Sequence, residues 1–247
     1  MKEYFNIRYE FDSDEVHRLI DERLAKPGSD YVCVADGVIL EHANTDADYN
    51  RVVNGGMFSI CDSSYVPLYI RWIYGIRYPQ YCGAQIFRNL VSARKHRMIF
   101  LGAQRQVLDS LQRNLAGMNP DVAGMKFVEL PFCSVEEFDY AGIARMIEDD
   151  GADIVWVALG APKQEIFMSM LKPHLRRGVM IAVGAAFKFY SGVSEKRAPA
   201  WMVKAHLEFV YRIGQEPKKQ LRRCGRILTV LPKLFLQERK RARSGRH

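Results

Sequence analysis

Short apolar runs alternate with segments of helical spacing along most of the chain. The runs end at Gly, Pro or acidic residues and predict strands near 4–9, 31–35, 57–61, 98–101, 126–130, 154–159 and 179–187. Between them, apolar residues recur every three or four positions and predict helices over 13–25, 37–53, 85–96, 107–115 and 135–147. This alternation predicts an α/β fold: a doubly wound, mainly parallel Rossmann-like sheet with right-handed crossovers. Because no G-x-G-x-x-G follows any strand, a dinucleotide fold in the strict sense is disfavoured.

The most informative stretch runs from Asp153 to Met170 and has the letters D-I-V-W-V-A-L-G-A-P-K-Q-E-I-F-M-S-M. Its apolar run predicts a strand buried on both faces of a parallel sheet. Gly160 ends the run, and Pro162 suits the first position of a helix, where a missing N–H costs nothing. The apolar residues that follow predict the buried face of that helix: Ile166, Phe167, Met170 and Leu171.

Three polar residues occupy the first turn of this predicted helix, at the carboxyl edge of the sheet, where open α/β sheets bind ligands. The charge of Lys163 suits a phosphate, and the neutral amide of Gln164 can both donate to and accept from hydroxyls. The third polar residue is Glu165. The stretch therefore predicts an anion or sugar site. An ordinary β-α turn with a charged helix start explains the same pattern equally well.

Two further acids follow predicted strands at the same edge. Asp36 comes after the second apolar run and Asp62 after the third. Sugar transfer needs a base that takes the proton from the acceptor hydroxyl, and Asp62 is the best candidate for it. The alternative for Asp62 is a turn or capping acid, which the pattern alone favours.

Two D-x-D strings resemble the metal-binding acids of some sugar-transferring enzymes. They begin at Asp12 and Asp46, both at predicted helix starts rather than at strand ends. Acids at such positions cap helices and complement the helix dipole. We therefore expect both strings to be caps, and no metal site is predicted.

The net charge of +8 is concentrated at the carboxyl end. From Arg212 onward the chain has twelve Lys or Arg against two Glu, so the preceding residues are slightly acidic, with 24 basic and 26 acidic side chains. We predict a body over 1–200 and a basic amphipathic helical appendage over 201–247. The appendage either packs on the body as an ordinary helix or lies on an anionic membrane surface. Nucleic acid is a weaker alternative, because after Tyr211 only Phe235 offers an aromatic ring for base stacking.

The five cysteines suggest neither a zinc site nor a disulfide framework, because they form no C-x-x-C. No run of eighteen apolar residues is present, and the first twenty-two residues are dense in charge, unlike a signal peptide. A cytoplasmic protein is therefore expected.

A series of motifs in the second half resembles the WecG/TagA/CpsF family of bacterial glycosyltransferases. The series begins with G-A-P-K-Q-E after a hydrophobic strand. It continues with I-A-V-G-A-A-F-K-F-Y-S-G (181–192), R-A-P-A-W-M (197–202), L-E-F-V-Y-R (207–212) and E-P-K-K (216–219), in the family's order and close to its spacing.

The resemblance implies an inverting hexosyltransferase without a metal or other cofactor. It moves a sugar, of N-acetylmannosamine type or a related hexose, from a UDP-sugar to a polyprenyl-diphosphate-linked acceptor at the inner face of the membrane, in cell-surface polymer synthesis. Asp62 falls on the family's catalytic aspartate and Gln164 on its pocket glutamine. Residues expected to bind substrate are Asp36, Gln80, Gly160, Lys163, Gly184, Lys188, Arg197, Arg212, Arg222 and Arg223. A homo-oligomer is compatible with this prediction, and nucleic acid is not an expected partner.

Several pocket positions depart from the family's pattern. Val34 and Asp36 replace a threonine and an asparagine, Ser63 replaces the glycine after the catalytic aspartate, Gln80 replaces an arginine, and Lys188 replaces the acid of F-D-F. Each change alters charge or hydrogen-bonding capacity. An alternative is therefore a catalytically altered pseudoenzyme or an accessory subunit of polysaccharide assembly.

Overall fold

The computed structural model describes residues 1–193, 214 and 217–245. Eight strands form one sheet: β1 Lys2–Tyr4, β2 Ile7–Tyr9, β3 Gly28–Ala35, β4 Phe58–Cys61, β5 Met98–Gly102, β6 Lys126–Val128, β7 Ile154–Ala158 and β8 Arg177–Ala182. The described helices of the body are α1 Ser13–Leu24, α2 Gly37–Thr45, α3 Ala47–Asn54, α4 Tyr65–Tyr74, α5 Gly83–Ala93, α6 Arg105–Ala116, α7 Tyr140–Asp150, α8 Lys163–Leu171 and α9 Ala186–Ser191. The C-terminal helix is Pro217–Arg243.

The sheet has the order β1-β2-β4-β3-β8-β7-β5-β6, and every neighbouring pair is parallel except β1 with β2. Alternate residues of the central strands face opposite sides and form two separate hydrophobic clusters. Helices α2, α3, α4, α7, α8 and the C-terminal helix cover one face, and α1, α5, α6 and α9 cover the other. The predicted doubly wound, mainly parallel sheet is confirmed.

Helix caps account for both D-x-D strings. The Asp12 carboxylate accepts from two backbone N–H groups in the first turn of α1, and Asp46 does the same for α3, where its oxygen lies 2.9 Å from Asp48 N. The prediction that both strings are caps is confirmed. Asp46 also explains why the helix predicted over 37–53 is two helices, because its extended backbone ends α2 before its side chain starts α3.

Three predicted elements are wrong in detail. The first strand is a hairpin of β1 and β2, because Phe5 and Asn6 adopt positive φ angles of 51° and 60° that turn the chain back. The helix predicted over 135–147 is a short 3-10 turn followed by α7, whose start is capped by Asp139. The last strand ends at Ala182 rather than at 187, because Gly184 has a positive φ and α9 begins two residues later.

The described part of the C-terminal segment packs on the body. Leu231 and Leu234 are buried in the cluster that also contains α2 and α4. Glu238 is buried too, and its carboxylate accepts from Phe5 N at 3.0 Å and from the Tyr74 hydroxyl at 2.7 Å. The helix thus contributes to the core, as expected if the appendage packs on the body.

Across residues 1–193, 214 and 217–245, no helix has the length and apolar character needed to span a bilayer.

Candidate active site

The candidate site lies at the carboxyl edge of the sheet, where β3 and β8 run side by side. β3 leads into α2 on one face, and β8 leads into α9 on the other. Neighbouring strands whose connections leave on opposite faces open a crevice between them, and open α/β sheets bind ligands in such a crevice. The predicted location of the site agrees with this topology.

Asp36 and Asp62 end adjacent strands of this edge. The preceding residues, Ala35 and Cys61, are register partners, and Asp62 N donates to the Ala35 carbonyl at 3.0 Å. The Asp36 carboxylate caps α2, with Oδ1 2.9 Å from Val38 N and 3.1 Å from Ile39 N. The Oδ1 atom of Asp36 is therefore already engaged in capping α2.

The Asp62 carboxylate lies beside the start of α5. A Cβ atom at Gly83, the first residue of that helix, would be 3.9 Å from Asp62 Oδ2 and 2.9 Å from Val34 Cγ1. A helix N-terminus favours an anionic group beside it. The N-terminus of α5 thus favours a negatively charged carboxylate at Asp62.

Two hydroxyls in this part of the site have no hydrogen-bond partner in the part of the chain that the structure describes: Ser63 Oγ and Tyr65 OH. Ser63 is 5% exposed. Burial raises the pKa of the Tyr65 hydroxyl above its usual range, the nearby Ser63 opposes this rise, and the charge of Asp36 adds to it. Buried hydroxyls normally find a partner, and the effect of Ser63 on Tyr65 makes each of these two hydroxyls the available partner of the other.

Gln164 reaches from the end of β7 across to the end of β8. The side chain is 3% exposed, and its Oε1 accepts from Gly160 N at 3.0 Å. A Cβ atom at Gly184 would lie 3.9 Å from Gln164 Nε2. Gly160 and Gly184 have φ angles of 79° and 48°, a region that favours glycine, so both turns keep the backbone close to this amide.

Glu165 is fully buried on the same turn, and sequence reasoning did not identify it as part of the site. Its Oε1 accepts from Gln164 Nε2 at 2.8 Å and its Oε2 accepts from the Tyr49 hydroxyl at 3.0 Å. Burial raises the pKa of the Glu165 carboxyl to about 7, the two hydrogen bonds oppose this rise, and the charge of Asp36 adds to it. The sequence signal that could have indicated its burial is spacing. Glu165 precedes the buried Met168 by three residues and therefore lies on the same face of the helix.

Lys163 is anchored outside the crevice. Its Nζ donates to the Cys133 carbonyl and lies 4.9 Å from the centroid of the Phe138 ring. The helix begins at Lys163 rather than at Pro162, which takes the capping position. Phosphate binding by Lys163 stays a prediction.

The other predicted binding residues are placed less directly. Gln80 is exposed in the segment between α4 and α5, and Lys188 lies partly buried on α9. Arg197 and Arg212 lie outside the described residues. Arg222 and Arg223 belong to the C-terminal helix, but their side chains lie outside the described part of the chain.

The C-terminal helix borders the site at the start of α2. A Cβ atom at Gly37 would lie 2.6 Å from Ile227 Cδ1 and would overlap the Tyr65 hydroxyl. Ile227 follows Arg223 by about one helical turn. The start of the C-terminal helix is therefore close to the carboxyl edge of the sheet.

Among residues 1–193, 214 and 217–245, no three His, Cys, Asp or Glu side chains are grouped so that they could hold a metal ion.

Comparison with known families gives a match over almost the whole chain. The model described as "Glycosyl transferase WecG/TagA/CpsF family" matches residues 3–245. The chain belongs to this family. The resemblance seen in the motifs is thereby confirmed, and the relatives below are named for a sugar linked to undecaprenol through a diphosphate.

Three relatives bear the same name, N-acetylglucosaminyldiphosphoundecaprenol N-acetyl-beta-D-mannosaminyltransferase. The protein of Bacillus subtilis (strain 168) is 30% identical over 192 residues, 75% of this chain and 73% of the relative. That of Bacillus spizizenii is 26% identical over 193 residues, covering 76% and 72%. That of Staphylococcus aureus (strain MW2) is 23% identical over 209 residues, covering 81% and 76%.

Within this WecG/TagA/CpsF member, the two predicted catalytic residues lie at one edge of one sheet. Asp62 follows β4, and the Gln164 amide lies over the end of β8, with only β3 between those strands. Two strand spacings are about 10 Å. Two of the residues that depart from the family's pattern lie at the same edge: Val34 lies against the start of α5, and Asp36 caps α2. Their roles in catalysis stay predictions.

Proposed function

We propose that this protein is an inverting glycosyltransferase that moves a sugar from a UDP-sugar to a polyprenyl-diphosphate-linked acceptor. The observation that carries the proposal is the joint placement of Asp62 and Gln164 at the crevice of a WecG/TagA/CpsF fold. The sugar is of N-acetylmannosamine type or a related hexose. The names of the relatives support a diphosphoundecaprenol-linked acceptor.

In the proposed reaction, Asp62 takes the proton of the acceptor hydroxyl. The hydroxyl oxygen forms a bond to the anomeric carbon while the bond from that carbon to the UDP oxygen breaks, so the configuration inverts. The electron pair leaves on the diphosphate, and the proton passes from Asp62 to solvent. Gln164 orients the donor sugar by hydrogen bonds, and basic side chains together with helix N-termini offset the charge of the leaving UDP. The site uses no metal in this scheme.

The acceptor diphosphate is expected to meet the start of the C-terminal helix. Ile227 contacts the edge of the site at Gly37, and Arg222 and Arg223 precede it by about one turn. Guanidinium groups are suited to a diphosphate because they donate two parallel hydrogen bonds. Arg212 and Arg197 are further candidates for these phosphates.

We also propose that the protein acts at the cytoplasmic face of the membrane, as a peripheral protein. The C-terminal helix exposes an apolar flank containing Leu228 and Leu236 on the side of Phe235, whose ring lies 5.2 Å from that of Tyr69 on α4. The neighbouring flank is basic and exposed, with Arg226, Lys233 and Lys240, and exposed Arg239 lies on the side of Leu228. This pattern is typical of a helix on an anionic bilayer surface.

Helix α4 extends the apolar flank. Trp72 is 64% exposed, its ring lies 5.8 Å from that of Tyr69, and Leu68 one turn earlier is exposed as well. The combined surface of Leu68, Trp72, Leu228 and Leu236 is here called the apolar patch. Because α4 begins three residues after Asp62, insertion of the patch would bring the site to the depth of a lipid-linked acceptor.

The test is a panel of UDP-sugars incubated with a soluble, short-chain polyprenyl-diphosphate-linked N-acetylglucosamine. The expected result is release of UDP with one donor and a product larger by one hexose unit. Absence of transfer with every donor, in a protein that folds and binds UDP, would support the second candidate. That candidate is an accessory subunit, and it is favoured by the replacements at Ser63, Gln80 and Lys188.

A further inference from the structure

Glu165 places a carboxyl group in the core, and no opposite charge lies beside it among the residues that the structure describes. Its side chain is fully buried, and both of the groups that donate to it, the Tyr49 hydroxyl and the Gln164 amide, are neutral. Removing a carboxylate from water is costly, and neutral partners only partly offset that cost. Because burial of this carboxyl is costly, we look for its role in the groups that it contacts.

The contacts determine which way the Gln164 amide points. Gly160 N can only donate, so the atom facing it is the amide oxygen, at 3.0 Å. The Glu165 carboxylate accepts, so the atom facing it is the amide nitrogen, at 2.8 Å. If either neighbouring group changed from donor to acceptor or the reverse, the Gln164 amide rotated by about 180° would be as favourable as the observed orientation.

We propose that Glu165 is a positioning residue that holds the Gln164 amide in the one orientation that presents its second N–H to the substrate. The proposal rests on the proposed function, because it assigns a role for Gln164 in sugar transfer. Only one N–H of Gln164 is used by Glu165, and a Cβ atom at Gly184 in the crevice would lie 3.9 Å from Gln164 Nε2. The other N–H and the second lone pair of Oε1 remain for a ligand.

Tyr49 fixes Glu165 in turn. Its hydroxyl donates to Oε2, the oxygen that does not meet Gln164, so each carboxylate oxygen has its own donor. Tyr49 belongs to α3 and is itself 4% exposed. The chain of contacts from α3 through Glu165 to Gln164 and Gly160 thus connects the body of the protein to the turn at the end of β7.

A purely structural role would be a simple bond between α3 and α8. That role predicts a loss of stability when Glu165 is changed, but no particular connection with Gln164 in the kinetics. The positioning role predicts that the two residues act as one unit, so their effects on turnover are not additive. The two roles are therefore distinguishable by a double-mutant cycle.

The cycle uses Glu165→Gln, Gln164→Ala and the double variant, with the short-chain acceptor and the active donor. Glu165→Gln keeps the shape but replaces one acceptor by a donor. When its oxygen accepts from the Tyr49 hydroxyl, its NH2 faces the Gln164 amide nitrogen, so the orientation of Gln164 is no longer held. We expect kcat to fall about 10-fold in Glu165→Gln and more in Glu165→Ala, because a hydrogen bond to a charged group is lost. In the Gln164→Ala background, Glu165→Gln should change kcat by less than about twofold.

Glu238→Gln is the matched control. Glu238 is also a buried glutamate that accepts from two neutral donors, but these are Phe5 N and the Tyr74 hydroxyl, away from Gln164. The kcat of the Glu238→Gln variant with the short-chain acceptor should stay within about twofold of the wild type. The proposal is overturned if Glu165→Gln retains wild-type kcat, or if it lowers kcat by the same factor with and without Gln164.

A second readout separates this proposal from the proposed function. The side-chain NH2 signals of Gln164 in a nitrogen-15 spectrum, assigned by their loss in Gln164→Ala, should move as Glu165 titrates. The titratable groups acting on that carboxyl are Tyr49 from α3, Asp36 at the cap of α2 and Cys33 from β3. The movement should have a midpoint near 7 and vanish in Glu165→Gln. If the signals are insensitive to pH in the wild type, the positioning role is wrong, even if sugar transfer is confirmed; if they respond and no sugar is transferred, only the proposed function fails.

Discussion

Gly37, the first residue of α2, lies directly against Ile227 of the C-terminal helix, and a Cβ atom at position 37 would approach Ile227 Cδ1 to 2.6 Å. The Tyr65 hydroxyl of α4 lies nearer still, so Gly37→Ala should displace both Tyr65 and Ile227. Overpacking of this kind costs about 1–3 kcal/mol. We expect a loss of that size in the free energy of unfolding by urea, together with a lower rate on the lipid-linked acceptor.

The control for this substitution is Gly124→Ala. No atom lies within 4 Å of a Cβ built at Gly124, so the change should leave the unfolding free energy within about 0.5 kcal/mol of the wild type. Equal stability of Gly37→Ala and the wild type would show that neither Tyr65 nor Ile227 packs against position 37 in solution.

The anchoring of the C-terminal helix by Glu238 gives a prediction about truncation. A chain that stops after Gln237 leaves Phe5 N and the Tyr74 hydroxyl without their acceptor. Its unfolding free energy should fall by roughly 1–3 kcal/mol, the cost of unpaired buried groups. A chain that stops after Arg243 keeps both bonds and should match the full chain; if the two truncated chains are equally stable, Glu238 does not anchor the helix.

Membrane binding is expected to depend on the apolar patch. Trp72→Ala should weaken sedimentation with vesicles of anionic phospholipid about tenfold, because burying a large apolar side chain contributes about 1.5–3 kcal/mol. Phe132→Ala is the control, since Phe132 is fully exposed on the loop after β6, at the other end of the sheet. Identical losses in both variants, or none in Trp72→Ala, would place the membrane contact elsewhere.

Glu165 should make stability depend on pH. Burial raises the pKa of its carboxyl from 4.5 to about 7, so the folded state binds this proton more tightly than the unfolded state does. The stabilisation by the bound proton is complete below about pH 4.5 and is lost as the pH rises through 7, with an upper bound on the order of 3 kcal/mol. The unfolding free energy of the wild type relative to Glu165→Gln should therefore decrease between pH 5 and pH 8; a constant difference would mean that Glu165 does not titrate in this range.

The sequence was sufficient for the strands that carry the site, because runs such as 154–159 are apolar on both faces and end in distinctive turns. It was also sufficient to separate the capping acids Asp12 and Asp46 from the strand-end acid Asp62. It was insufficient for Glu165, because the burial of that carboxyl depends on Tyr49, 116 residues away along the chain. Local pattern likewise does not show that Lys163 turns towards Cys133, since that carbonyl belongs to a different loop.

We propose Asp62 as the base of a sugar transfer at the carboxyl edge of the sheet, beside the crevice between β3 and β8. Asp62→Asn removes the base and preserves the shape, and Asp12→Asn is its matched control because Asp12 only caps α1. The decisive measurement is the turnover of the active UDP-sugar with the short-chain polyprenyl-diphosphate acceptor, beside UDP affinity and circular dichroism. We predict that Asp62→Asn loses at least about 100-fold in kcat while UDP affinity and fold are retained, and that Asp12→Asn turns over as the wild type does. Near wild-type turnover of Asp62→Asn would contradict the assignment.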